Sequence, residues 1–138
     1  MTLCPYLFFP GSCKAAVTWY AEVLDGEITA MLSHAGSPAE DSVPPEWRDK
    51  IMHARLQIGD GELMASDAPP EYFSTPAGFR VQLHFEDLTE AERVFRTLAE
   101  GGSVQMPFEK TFWSEGFAML TDRFGTPWMV NCVPTGGD

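Results

Sequence analysis

DKIMHARLQIGDGELMASD, residues 49–67, is the stretch whose reading decides the fold. Met52, Ala54, Leu56 and Ile58 alternate with His53, Arg55 and Gln57, so one strand carries two unlike faces. The strand ends at GDG, and Gly61 is expected in a hairpin turn that needs a positive φ. A second strand, ELMASD, then returns. AMLTDRFGTPW, residues 118–128, repeats this grammar: Ala-x-Leu, a glycine (Gly125) at the same spacing, then a further strand.

The repeat extends backwards to two helices. GSCKAAVTWYAEVLDGE predicts a helix capped by Ser12, with Ala16, Val17, Tyr20, Val23 and Leu24 on one face and Gly26 as its stop. DLTEAERVFRTLAEGG predicts another, with Thr89 as N-cap and Glu92 completing a capping box. Its stripe is Ala91, Val94, Phe95 and Leu98, and Gly101 terminates it. Tyr20, Val23 and Gly26 recur at one constant offset as Phe95, Leu98 and Gly101. Each helix follows a short apolar strand, YLFF or RVQLHF. A longer loop, SHAGSPAEDSVPPEWRD, shortens the offset of the later strands. A duplicated supersecondary unit with one loop insertion has this appearance.

Each half therefore reads strand, helix, three strands, with halves of about 1–70 and 71–138 in a single domain. The fold class is α+β: two βαβββ modules forming a cupped mixed β-sheet, with the helices outside.

The formal net charge of -11 argues against nucleic acid, whose phosphates call for clustered Lys and Arg, and against anionic membrane surfaces. No apolar run approaches the ~20 residues of a membrane span, and the N-terminus lacks a signal-peptide pattern. Cys4, Cys13 and Cys132 are odd in number and lack CxxC spacing, which reads as reduced thiols in a cytoplasmic protein. Cys13 falls in the first turn of the first helix, where the dipole lowers a thiol pKa; the plainer reading is a small half-buried residue.

PYLFFPGSCKAAVTWYAEVLDGEI, KIMHARLQIGDGELMASDAPP and TFWSEGFAMLTDRFGTPWMVNC together resemble the vicinal oxygen chelate superfamily of glyoxalases, bleomycin-resistance proteins and extradiol dioxygenases. Within it the PhnB-like branch is the more similar. Proteins of that branch have been labelled 3-demethylubiquinone methyltransferase-like. This chain has no glycine-rich strand-to-helix loop for S-adenosylmethionine, and no room for a doubly wound sheet. The resemblance implies a site in the cupped sheet. In metal-using relatives, His, Gln or Glu ligands come from the first and last strands of each half. The corresponding positions here are Cys4 or Pro5, Ala65, Arg80 and Met129, which do not make a metal site.

Strand parity then nominates the site. With Met52, Ala54, Leu56 and Ile58 under the helix, His53, Arg55 and Gln57 point into the cup. The same parity directs Tyr6 and Phe8, and Arg80, Gln82 and His84, to that side. Asp67 and Asn131 fit the rim, and Trp113 and Glu115 are placed to close the mouth. His53, Arg55, Arg80, Gln82 and His84 are expected to converge in one cavity, where arginine suits a carboxylate or phosphonate-like anion.

The leading expectation is a binder of a small organic, anionic ligand, with no metal and no cofactor. Relatives often dimerise with shared sites, which implies a homodimer. One rival is a lyase, isomerase or dioxygenase-type enzyme. It would use a nonstandard metal set such as His53, His84 and Glu115, or acid–base catalysis by His53. The other is a drug-sequestering protein with aromatic walls.

Overall fold

The computed structural model describes residues 1–133. The chain order is β1 (Tyr6–Phe9), α1 (Cys13–Val23), β2 (Glu27–Ser33), β3 (Ile51–Ile58), β4 (Gly61–Asp67), β5 (Val81–Phe85), α2 (Leu88–Ala99), β6 (Ser103–Glu109), β7 (Gly116–Thr121) and β8 (Pro127–Cys132). Two short 3-10 turns, Glu40–Ser42 and Pro45–Trp47, punctuate the long loop before β3. The chain divides into two compact units, Met1–Ser74 and a second beginning at Thr75. Each holds one βαβββ module, as the repeat predicts.

Both units have the same mixed four-stranded sheet, ordered β1-β4-β3-β2 in the first and β5-β8-β7-β6 in the second. The outer pairs β1·β4 and β5·β8 are parallel, and the other neighbours are antiparallel. The helix crosses from the first strand to the far edge of the sheet and covers one face. In unit 1, Leu7, Phe9, Ala54, Leu56, Leu63 and Ala65 pack beneath Ala16, Val17, Tyr20 and Val23. In unit 2, Ala118, Leu120, Trp128 and Val130 lie under Ala91, Val94 and Leu98. Burial of these side chains is the main stabilising term, at ~1.5–3 kcal/mol for each large one.

Several local expectations are corrected. Asp87, not Thr89, caps α2; its carboxylate accepts the Thr89 N–H, so the capping box does not form. The positive φ in the β3–β4 turn belongs to Gly59 (53°), while Gly61 opens β4. Gly125 keeps the expected role at φ 93°. Alternation also fails at the start of β3. Leu32 pairs with His53 but Ser33 pairs with Ile51, so Met52 is the extra residue of a bulge. Ile51, only 3% exposed, takes the core place expected of Met52.

Gly26, beyond the end of α1, explains itself by space. A Cβ there would sit 2.9 Å from the Gln57 carbonyl oxygen, so the chain passes β3 without a side chain.

Candidate functional site

In each unit the sheet face away from the helix carries predicted polar residues, Tyr6, His53, Arg55 and Gln57 in the first and Gln82, His84 and Asn131 in the second, whereas Asp67 lies on the helix side. On β1, Leu7 and Phe9 are buried while Tyr6 and Phe8 are exposed, as alternation requires. The Tyr6 hydroxyl reaches across β4 to His53 Nδ1 at 3.0 Å, with the rings stacked at 5.8 Å. Phe8, 54% exposed, lies 5.1 Å from the Tyr6 ring, and exposed Leu32 faces His53 from β2. Tyr6, Phe8 and His53 therefore form one patch, half aromatic and half hydrogen-bonding.

Three other residues predicted for this site in unit 1 are already employed. Arg55 Nη2 pairs with Glu62 at 3.1 Å, its cross-strand diagonal neighbour. Gln57 donates to the Gly59 carbonyl and braces the turn. Asp67 is not a rim residue. It is 8% exposed, and it accepts backbone N–H groups from Gly11, Cys13 and Ile51. The carboxylate thus serves the start of α1 where Ser12 makes no side-chain cap.

That arrangement also decides Cys13. The thiol is 0% exposed, and burial first, then the Asp67 charge, pushes its pKa up to about 12. Of the two readings the plainer, structural one fits: Cys13 is fully buried, and burial and the Asp67 charge oppose any lowering by the helix dipole.

In unit 2, Gln82 and His84 are exposed, alternating with half-buried Val81, Leu83 and Phe85. Asn131 sits opposite His84 on β8, and its Nδ2 lies 3.4 Å from His84 Nδ1. Asn131 Oδ1 is buried without a partner. Arg80 does not present a free fork: its Nη1 donates to the Leu120 carbonyl at 2.8 Å and to that of Trp128 at 3.4 Å. Trp113 stands edge-on to Phe117 at 5.3 Å and to Phe112 at 4.7 Å, while Glu115 faces Lys110 at 3.7 Å.

Of the five groups expected in one cavity, His53 and Arg55 belong to the first unit and Arg80, Gln82 and His84 to the second. Sequence reading passed over Leu32, Phe117 and the methionines of β6 and β7. Phe117 and Met119 were accessible by parity, being opposite Asn131 and Met129.

The donor positions for a metal are also revised. Leu7 pairs with Ala65 and Leu83 with Val130, both on the helix side, so Met64 is the counterpart of Met129. Their first-strand partners on the helix-free faces are Tyr6 and Gln82. Two thioethers, a phenol and a carboxamide do not fit a hard or borderline divalent ion. Among the described residues, His, Cys, Asp and Glu gather nowhere in a group of three suited to a metal.

The duplicated βαβββ unit and its helix-free polar faces define a glyoxalase-type protein. The sequence profile of the Glyoxalase/Bleomycin resistance protein/Dioxygenase superfamily matches residues 3–130, and the chain belongs to that family. It is similar to Protein YjdN of Escherichia coli (strain K12), 36% identical over 96% of both chains. It is also similar to protein PA1353 from Pseudomonas aeruginosa, 48% identical, with a TM-score of 0.89 over 97% of this chain and 98% of that one. The PhnB protein from Bacillus cereus shares the fold at 22% identity, TM-score 0.82, over 96% of this chain and all 100% of its own. No helix among the described residues is long and apolar enough to cross a membrane.

Proposed function

We propose that the helix-free faces bind a small organic molecule with an aromatic or apolar body and one hydrogen-bonding group. No metal at the family's ligand positions takes part in this reading. The Tyr6–His53 hydrogen bond beside exposed Phe8 carries it. Exposed apolar groups with a few polar anchors mark ligand surfaces. With Nδ1 engaged by Tyr6, His53 Nε2 is left for a ligand. Arg55 pairs with Glu62 and Arg80 Nη1 bonds backbone carbonyls, so this reading rests on Tyr6 and His53 and not on an arginine fork.

Thermal shift with a panel of aromatic and aliphatic small molecules, with and without EDTA, tests this. Binders should raise Tm equally in both buffers. Tyr6→Phe should weaken them by about 1 kcal/mol while leaving the ligand-free Tm unchanged. The reading fails if no compound binds, or if binding ignores both Tyr6→Phe and His53→Ala.

The same hydrogen bond favours a second reading, proton transfer by His53 as general base. Under saturating substrate, His53→Ala would abolish turnover for an enzyme and only weaken affinity for a binder. We also propose a homodimer in the cytoplasm. Phe112, 97% exposed beside Trp113, has the aromatic character favoured at interface centres. A monomer in sedimentation at micromolar concentration would remove the dimer.

A further inference from the structure

On the helix-free face of unit 2, three methionines stand in one row. Met106 of β6 is opposite Met119 of β7, which is opposite Met129 of β8, and Gln82 of β5 completes the row. A bulge delivers the first of them. Ser103 pairs with Thr121 and Val104 with Leu120, so plain alternation would put Gln105 on the face of Met119. The irregularity between Val104 and Met106 brings Met106, 39% exposed, opposite Met119, while Gln105 stays beside it on that face and bonds Thr121 and Ser103. Bulges re-aim side chains in this way and are frequent beside functional sites.

Cross-strand neighbours on one face have Cβ atoms about 4.5–5.5 Å apart. Each methionine turns about three bonds, so the two outer thioethers can reach the central one. Thioether sulfur is an uncharged, soft donor, suited to Cu(I) and poor for Mg, Ca or Zn. Competing thiols are out of reach, since Cys13 and Cys132 are both 0% exposed. Cys4 alone among the cysteines is half-exposed.

We propose that Met106, Met119 and Met129 form a site for a soft monovalent cation, Cu(I) or its redox-inert analogue Ag(I). Sulfur lone pairs replace water on the ion, nothing is oxidised or reduced, and no proton is released because thioethers carry none. The site does not depend on the organic ligand proposed above.

The test is titration of the full chain with Ag(I), followed through its methionine methyl resonances. Those of Met106, Met119 and Met129 should shift and saturate, while those of Met1, Met31, Met52 and Met64 stay. Affinity should be equal at about pH 6 and about pH 8, between which histidine and thiol ligands would titrate. Met119→Leu should abolish saturation, and Cys4→Ser should leave it intact. Shifts spread over all methyls, no saturable shift, or binding lost in Cys4→Ser would each overturn the proposal. The wild-type spectra decide the matter even if Met119→Leu folds poorly.

Discussion

The carboxylate of Asp67 accepts the backbone N–H of Cys13 at 2.9 Å, joining the last strand of the first module to the first turn of its helix. Its second oxygen takes the Ile51 N–H at 2.9 Å, next to the bulge in β3. One buried side chain thereby fixes a helix start, a strand end and a bulge. Asp67→Asn swaps one acceptor oxygen for a donor facing backbone N–H. The expected loss is about 2–4 kcal/mol in chemical denaturation, with an unchanged m-value. A loss below about 0.5 kcal/mol would show the three bonds to be dispensable.

Cys13 makes stability fall in alkali. Its thiol rises from an ordinary 9.0 to about 12 on folding. Below the ordinary value both states hold the proton; between the two values only the folded state does. Stability is therefore complete below about pH 9 and declines towards pH 12, at up to ~1.4 kcal/mol per pH unit. Cys132, raised chiefly by burial, acts in the same direction. Cys13→Ala should flatten the decline in denaturation midpoints above pH 9, and parallel curves for the two proteins would contradict it.

Arg80 holds the entry to β5 through carbonyls of β7 and β8, whereas Arg55 makes a half-exposed ion pair. Arg80→Ala should cost about 1–2 kcal/mol of stability. Arg55→Ala should change stability by under about 1 kcal/mol. Comparison of the two melting curves checks this, and the reverse order would return Arg80 to the list of free ligand-binding cations.

Gly102 is required for space. A Cβ there would lie 2.1 Å from the Thr121 carbonyl oxygen, a backbone atom that cannot swing away. Gly102→Ala should lower stability by about 2–3 kcal/mol. Gly36 meets nothing within 4 Å, but its φ of 76° makes Gly36→Ala a test of backbone strain alone, expected near 1 kcal/mol.

Alternation and helical periodicity are properties of neighbours in the chain, and they determined a good deal by themselves. They were enough for the two βαβββ modules, the buried faces of α1 and α2, and the outward turn of Tyr6, Phe8, Gln82 and His84. They stop where an extra residue enters a strand. Met52 was assigned to the core and Met106 went unnoticed because a bulge is set by pairing with another strand. Hydrogen-bond partners distant in sequence were equally hidden. Asp67 reads as a polar strand end until Gly11, Cys13 and Ile51 arrive around it. Arg80 reads as a ligand fork until the Leu120 carbonyl takes its Nη1. Which polar groups the fold consumes, and which remain free for a ligand, is decided only when distant segments compete for the same donors and acceptors.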